Sequence, residues 1–190
     1  MQRKSLEKWL KKISPLKKPE NLSLDEWQIA LRRQVSRDRS LRLKNTGPHP
    51  LFSTFEVRNA QTKKVYRVVI RGASPGVNYC SCPDFEVNTL GTCKHIEFAL
   101  GRLGKNRRDR EILGKGHVSA HSSVTLRYGA RRRIFFSCGT HAGPELKELA
   151  GRYFDIKGDL TPQGFARFDE FVKAVSRLKE DVRYHDDLPC

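Results

Sequence analysis

Two closely spaced pairs of metal-binding side chains near the middle of the chain constrain its fold more than any other feature of the sequence. The pattern is Cys-x-Cys, ten intervening residues, and then Cys-x-His. Three thiolates and one imidazole form a donor set that suits a tetrahedral zinc ion. We therefore expect one structural Zn²⁺ to be bound by Cys80, Cys82, Cys93 and His95.

Local geometry is consistent with that assignment. In an extended strand residues i and i+2 face the same side, so Cys80 and Cys82 can both reach one ion. Inside a helix Cys93 and His95 would diverge by roughly 200°, so we place them at a helix start with Thr92 as the N-cap. The apolar face of that helix is expected at Ile96, Ala99, Leu100 and Leu103. The pattern predicts a strand, a loop and a helix joined by the metal.

Rival assignments of these four residues fit less well. A disulfide between Cys80 and Cys82 would close a very small ring and leave His95 without a role, and ordinary buried thiols would not require two matched pairs. A catalytic zinc is the sharper alternative, because His95-Ile96-Glu97 matches the His-x-Glu element of nucleobase deaminases. In those enzymes the cysteine pair follows that element, and here four protein donors leave no open position for an activated water. We expect a structural zinc and no enzyme activity.

Positive charge is the second strong feature of the sequence. The 190 residues carry a formal net charge of +16, with 37 Lys and Arg against 21 Asp and Glu. Residues 1–50 contribute +8, residues 51–100 +2, residues 101–150 +7 and residues 151–190 −1. Such basic blocks attract polyphosphate. They could also bind acidic protein surfaces or anionic lipid, or form a basic surface that is only solvated. The residues that we select as nucleic-acid contacts are Lys94, Arg107, Arg108, Arg131, Arg132 and Arg133.

Several functional classes are disfavoured by the sequence. No run approaches the roughly 20 apolar residues of a transmembrane helix, and the basic start lacks the apolar core of a secretory signal. We therefore expect a cytoplasmic protein without a membrane partner, whose cysteines serve as thiols or metal ligands. A second metal site at Cys138 and His141 is a weaker hypothesis, because that spacing is unpaired.

Residues 1–46 are expected to form a basic helical region. Residues 2–13 have an amphipathic helical pattern, and prolines then interrupt the chain. A second helix begins at Ser23, where Ser23 and Glu26 form a capping box. Its buried face is expected at Leu24, Trp27, Leu31 and Val35. Its opposite face carries Arg32, Arg33 and Arg37.

Residues 47–104 form the predicted zinc finger domain. Period-two alternation in residues 51–58 and the β-branched residues of 65–71 predict a hairpin. The helix that starts near His95 completes a ββα finger. Residues 105–117 are basic and poor in apolar side chains, and we assign them to a linker.

Residues 118–190 are expected to form a small α/β accessory region. Strands at 124–128 and 132–136 predict a second hairpin. A helical pattern follows at 145–153, and a longer helix begins with Thr161 as its N-cap. The core-facing stripe of that helix is expected at Phe165, Phe168, Val172 and Val175. The chain is thus expected to be α+β, with N-terminal helices, a ββα finger and a small hairpin-plus-helices unit.

The metal-binding segment resembles the SWIM zinc finger family. The family pattern is Cys-x-Cys, a variable loop and Cys-x-His, and the matching phrase here is CSCPDF…NTLGTCKHIE. The resemblance implies a zinc-bound ββα unit that binds DNA or proteins.

A wider resemblance is to the N-terminal accessory region of bacterial Swi/Snf-like helicases. The similar segments are residues 25–32, 52–57, 66–71, 151–155 and 165–171. The motor itself is missing from this sequence, which contains neither a Gly-x-x-x-x-Gly-Lys-Ser/Thr loop nor an Asp-Glu-x-His box, so ATPase activity is not expected. The resemblance implies a fragment of such a protein or a stand-alone accessory protein, with DNA or a Swi/Snf-like motor as its partner. The alternative is a protein-interaction or autoregulatory domain without nucleic-acid contact.

Overall fold

The fold is that of a computed structural model, in which residues 13–185 and Leu188 are described. The chain divides into two compact units, the first ending at Gly116 and the second beginning at His117. Both units combine helices with a sheet, so the predicted α+β class is confirmed. The helix predicted at residues 2–13 lies outside the described residues, apart from Ile13. Within the described part of the chain, every helix is too short or too polar to cross a membrane.

The first unit contains a four-stranded sheet and, among its described residues, four helices. Its elements are α1 (Leu24–Val35), β1 (Leu41–Asn45), β2 (Thr54–Asn59), β3 (Val65–Val69), β4 (Tyr79–Cys80), α2 (Pro83–Val87), α3 (Lys94–Leu103) and α4 (Arg107–Lys115). The strand order is β1-β2-β3-β4, and each neighbouring pair is antiparallel. Helix α3 packs on β1, β3 and β4, and α1 packs on α3. The fully buried core includes Leu41, Phe55, Val57, Val68, Ile96 and Ala99.

The predicted hairpin of residues 51–58 and 65–71 is confirmed as β2 and β3. Its turn is fixed by Asn59, whose Oδ1 accepts hydrogen bonds of 2.9 and 3.0 Å from the backbone N–H groups two and three residues further on. Strand β1 was not predicted. Its sequence, LRLKN, fully buries only Leu41, so its alternation is too short to stand out from a basic background.

Helix α1 confirms the predicted capping box but not the predicted buried face. Ser23 Oγ accepts a hydrogen bond from Glu26 N at 3.2 Å, and the Glu26 carboxylate accepts one from Ser23 N at 2.8 Å. Leu24 and Val35 are 56% and 53% exposed, and the fully buried residue is Ala30. The predicted stripe was wrong at Leu24 and Val35. Helix α1 packs on α3 through its small residue Ala30 and not through a long apolar stripe.

The basic segment that we assigned to a linker, residues 105–117, contains helix α4. Asn106 caps this helix, because its Oδ1 accepts a hydrogen bond from Asp109 N at 2.8 Å. Leu113 is its one fully buried side chain. A single buried residue gives no periodic stripe, so the asparagine cap was the only strong local signal of a helix.

The second unit contains a three-stranded sheet and three helices within its described residues. Its elements are β5 (Ser122–Arg127), β6 (Arg133–Ser137), α5 (Pro144–Gly151), α6 (Pro162–Ala166), α7 (Phe168–Leu178) and β7 (Val182–Tyr184). The strand order is β6-β5-β7, with β5 antiparallel to β6 and parallel to β7. The second predicted hairpin is thereby confirmed. The buried core consists of Val124, Phe136, Leu146, Ala150, Tyr153, Phe154, Phe171 and Val175.

The longer helix predicted after Thr161 is two helices, α6 and α7. Thr161 is the N-cap as predicted, since its Oγ1 accepts a hydrogen bond from Gly164 N at 2.9 Å. Arg167 lies between the helices with φ −124° and ψ 22°, which breaks the helical geometry. Phe165, before this break, is 69% exposed and does not belong to the stripe. The remaining members of the stripe pack into the core: Phe168, Val172 and Val175.

Candidate metal centre

The four predicted ligands are placed by the ends of three elements. Cys80 ends β4, Cys82 is the N-cap of α2, Cys93 is the N-cap of α3, and His95 is the second residue of α3. The predicted strand therefore stops at Cys80. The backbone of Cys82 nevertheless stays extended, with φ −86° and ψ 150°, because an N-cap residue precedes the helical angles. The predicted cap at Thr92 is wrong by one residue, since Cys93 occupies that position.

The structure brings the four side chains together in a buried cluster. All four ligand atoms lie within 4.8 Å of one another, and all four residues are buried. The Nδ1 atom of His95 is 3.8 Å from Cys80 Sγ and 4.0 Å from Cys93 Sγ. In a tetrahedron with Zn–S and Zn–N bonds of standard length, donors are about 3.6–3.8 Å apart. The spacing and the donor set therefore fit zinc, with His95 binding through Nδ1.

Proton sharing within the cluster shifts the thiol pKa values in opposite directions. The pKa of Cys82 is lowered, chiefly by its hydrogen bond with Cys80 and next by that with Cys93. The pKa of Cys80 is raised, chiefly because its thiol hydrogen-bonds to Cys82 and next because it bonds to Cys93. Zinc binds thiolates, so metal entry must displace protons from this cluster and zinc affinity decreases as the pH falls.

A buried carboxylate connects the start of α3 to helix α1. Glu97 accepts a hydrogen bond from Thr92 Oγ1 at 3.0 Å and one from Arg33 Nε at 2.7 Å. The Glu97 side chain is only 6% exposed. Thr92 immediately precedes the ligand Cys93, so this chain of contacts fixes the backbone that presents the second ligand pair.

A second ion pair connects α1 to the other half of the site. Arg32 donates two hydrogen bonds to the Asp84 carboxylate, from Nε at 3.0 Å and from Nη2 at 2.6 Å. Asp84 lies two residues after the ligand Cys82. Because the contact is bidentate it fixes orientation as well as distance. The sequence pattern puts Arg32 and Arg33 on the face of α1 opposite its buried stripe, whereas both bind carboxylates in the segments that carry the ligands.

The supporting role of Glu97 was not predicted from the sequence. There Glu97 stands out only for its fit to a deaminase element, although an acid four residues after Cys93, beside the apolar positions of the helix, was a usable signal. A carboxylate there must find a buried partner. Its partner Arg33 is 64 residues away in sequence, and no local pattern identifies a contact at that distance.

Replacing Glu97 with alanine is expected to lower the free energy of unfolding of the first unit by about 2 kcal/mol. The change leaves the buried Thr92 hydroxyl without its acceptor, and such a loss costs about 1–3 kcal/mol. Zinc content should remain one ion per chain, because Glu97 is not a ligand. Thermal unfolding followed by circular dichroism measures the effect.

The matched comparison for that variant is Arg33→Ala. The Arg33 side chain is 44% exposed but Glu97 is only 6% exposed, so Arg33→Ala leaves a buried carboxylate without its cationic partner and should also cost about 1–3 kcal/mol. A loss below about 0.5 kcal/mol in both variants would contradict a stabilising role for the buried Glu97 carboxylate.

The residues selected as nucleic-acid contacts fall into both units. In the first unit Lys94 is half-buried at the start of α3, and Arg107 and Arg108 are exposed at the start of α4. In the second unit Arg131 and Arg132 lie in the turn between β5 and β6, and Arg133 begins β6. Several of them already have partners within the fold. Arg107 pairs with Glu111 at 2.7 Å, Arg133 pairs with Asp159 at 2.5 Å, and the Arg132 guanidinium lies 5.9 Å from the Tyr128 ring centroid.

The weaker hypothesis of a second metal site at Cys138 gains no support. Cys138 is exposed and free. Among the residues that the structure describes, no other group of three or more metal-binding side chains converges.

Comparison with known proteins identifies the segment around the cluster. The SWIM zinc finger family matches residues 66–104. The 3-dehydroquinate synthases of Streptomyces avermitilis and Streptomyces coelicolor are each 35% identical to this chain over 88 residues, which is 42% of this chain and 24% of each enzyme. The chain therefore spans about a quarter of the length of these curated relatives. No solved structure matches the chain. The family match and the buried cluster of Cys80, Cys82, Cys93 and His95 together make residues 66–104 a zinc-binding module of the SWIM type.

Proposed function

We propose that this chain is a zinc-stabilised nucleic-acid-binding module, with DNA as its first partner. The observation that carries the proposal is the division of charge between the units. Residues 1–116 contain 25 Lys and Arg against 11 Asp and Glu, a net charge of +14. Residues 117–190 contain 12 against 10, a net charge of +2. The positive field therefore belongs to the unit that holds the zinc site, and it would attract a phosphate backbone there.

We propose a structural role for the zinc ion. Three cysteines and one histidine complete a tetrahedral shell, which leaves no coordination position for a substrate or an activated water. The role of the ion would be to connect β4, α2 and α3 into one rigid surface. The matched region is only 24% of each 3-dehydroquinate synthase, so the similarity does not support synthase activity for this chain.

The wider resemblance to the accessory region of Swi/Snf-like helicases supports DNA as the partner. In this proposal the chain docks on DNA beside a motor that lies elsewhere in a longer protein or in another chain, in the cytoplasm. A second candidate is protein interaction by residues 117–190. Their near-neutral charge favours a protein contact over a phosphate contact in that unit.

A salt titration tests the proposal. The affinity of the zinc-loaded chain for duplex DNA should fall steeply with rising salt, because each neutralised phosphate adds roughly 0.9 to the slope of log K against log salt concentration. Changing both Arg107 and Arg108 to alanine should therefore reduce that slope by roughly 1.8 if both contact phosphates. Fluorescence anisotropy with a labelled duplex gives both quantities.

The comparison for this test is the triple change of Arg131, Arg132 and Arg133 to alanine. The charge division predicts that the triple variant loses less affinity than the double variant, although it removes one more charge. DNA affinity that is absent, or that does not depend on salt, would contradict the proposed function.

A further inference from the structure

The first unit contains an open cavity of about 810 Å³ beside the zinc finger helix. It lies between the end of α1, the second half of α3 and helix α4. Its floor is lined by Leu41, Phe98 and Leu113, which are buried, and by Leu100, which is partly exposed. The volume is within the range of about 300–1,000 Å³ that is usual for ligand sites. A ligand that bound only through its charges would gain nothing from an apolar floor, so the cavity fits a ligand with both charged and apolar groups.

The rim of this cavity is strongly cationic. The lining contains six basic side chains and only two carboxylates. The basic residues are Arg33, Arg37, Arg39, Arg102, Lys105 and Arg110, and the acidic ones are Asp38 and Glu97. Glu97 is already held by Thr92 and Arg33. Within residues 13–185, no carboxylate pairs with Arg39, Arg102 or Lys105. These three exposed charges thus surround an apolar floor without a counter-charge of their own.

One of these cations is positioned as a stacking surface. The Arg102 guanidinium lies over the ring of Phe98, with its central carbon 5.5 Å from the ring centroid. A flat guanidinium supported by an aromatic ring is a surface on which an unstacked base can lie, and its charge also attracts the neighbouring phosphate. Bases inside a duplex are stacked on one another and cannot use it.

We propose that this cavity binds a single strand of nucleic acid, with phosphates on the cationic rim and at least one base stacked on the Arg102 guanidinium that Phe98 supports, above the apolar floor. This inference deepens the proposed function and rests on it. Positively charged grooves with aromatic stacking partners are the general means by which proteins hold single strands. An acidic protein segment could satisfy the rim, but it would gain nothing from the flat stacking pair.

Gly101 offers a way to block the cavity without changing any charge. It lies on α3 between the cavity residues Leu100 and Arg102, and a Cβ atom built on it meets nothing within 4 Å. A large side chain can therefore enter the cavity without disturbing the helix. Gly114, on α4, has the same open space and does not line the cavity. Gly101→Trp and Gly114→Trp are thus a matched pair.

The experiment measures the affinity of the zinc-loaded full chain for a labelled DNA strand on the order of 15 nucleotides long and for the duplex of the same sequence. We expect the wild-type chain to prefer the single strand. Gly101→Trp should weaken single-strand binding by roughly tenfold, the scale of one lost base contact, while Gly114→Trp behaves as the wild type. Zinc content and circular dichroism check the fold, and Gly101→Gln serves as a smaller blocking variant.

Three results would overturn the inference. The first is equal single-strand affinity of the Gly101 and Gly114 variants. The second is an equal loss of single-strand and duplex affinity in Gly101→Trp. The third is a Gly101→Trp variant that loses binding to poly-glutamate while its DNA affinity is unchanged, which would assign the cavity to an acidic protein segment. Failure of the proposed function has a different signature, since the wild-type chain would then bind neither form of DNA.

Discussion

Removal of the zinc ion is expected to unfold the first unit and leave the second unit folded. Two independent treatments should give this result: a strong chelator, and the substitution Cys93→Ser. We expect the wild-type chain to carry one zinc ion and the Cys93→Ser chain to carry none. Hydrogen exchange, read residue by residue, should show lost protection in β4, α2 and α3 and retained protection in β5 and α7.

The size of the effect follows from what the ion connects. Structural zinc sites contribute an apparent 10–16 kcal/mol in zinc-finger peptides, and a whole domain is typically stable by only about 5–15 kcal/mol. Cys93 is fully buried at the N-cap of α3. Without the ion, three buried thiols and one imidazole have lost the partner that joins their segments. The remaining ion pairs between α1 and the site, Arg32–Asp84 and Arg33–Glu97, contribute only a few kcal/mol and cannot replace the zinc.

Cys138→Ser is the matched control for this experiment. Cys138 is exposed and stands outside the cluster, so the same chemical change there should leave zinc content and stability as in the wild type. A Cys93→Ser chain that keeps its zinc, or a metal-free first unit with unchanged hydrogen exchange, would contradict the structural role of the metal.

The ligand set could be predicted from sequence because zinc chemistry acts over short spacings. Cys80 and Cys82 are two residues apart, as are Cys93 and His95, and each pair is confined by its own local backbone. The supporting contacts could not be predicted in the same way. Arg32 meets Asp84 across 52 positions of the sequence, and that pairing depends on how α1 packs on α3.

The errors in the helices have a common physical cause. A 3.6-residue period identifies an apolar stripe only if the helix is continuous and packs on one side. Helix α1 packs through Ala30, which contributes little to an apolar pattern, and the stripe through Phe165 crosses a break at Arg167. The caps at Ser23 and Thr161 were predicted correctly because a capping interaction involves only three or four residues.

The charge pattern is visible in the sequence, but the boundary between the two units is not. Residues 101–150 carry a net charge of +7. The structural boundary after Gly116 assigns +4 of that charge to the first unit and +3 to the second. The acidic residues of 151–190 offset the positive charge of Arg131, Arg132 and Arg133, so the second unit is nearly neutral. Only the division into units reveals that the excess charge and the zinc site occur together.

Truncation of Phe171 to alanine is expected to unfold the second unit or bring it close to unfolding. Phe171 is fully buried, and four aromatic rings lie around it with centroid distances of 5.1–6.1 Å: Phe136, Tyr153, Phe154 and Phe168. Removing a buried phenylalanine costs about 3–5 kcal/mol. For a domain of this size each kcal/mol lowers the Tm by about 4–8 °C. The Tm of the second unit should therefore fall by at least roughly 12 °C, measured by calorimetry on the zinc-loaded chain.

Phe165→Ala is the control for Phe171→Ala. It removes a phenylalanine side chain that lies outside the core. Phe165 is 69% exposed on α6, so its truncation should change stability by no more than about 0.5 kcal/mol. In the Phe171→Ala chain the zinc content should stay at one ion and the hydrogen exchange of α3 should stay as in the wild type, because the aromatic core of the second unit contains none of the metal ligands. Loss of zinc together with the second unit would mean that the two units fold as one, and equal losses in the two alanine variants would mean that Phe171 is not the centre of that core.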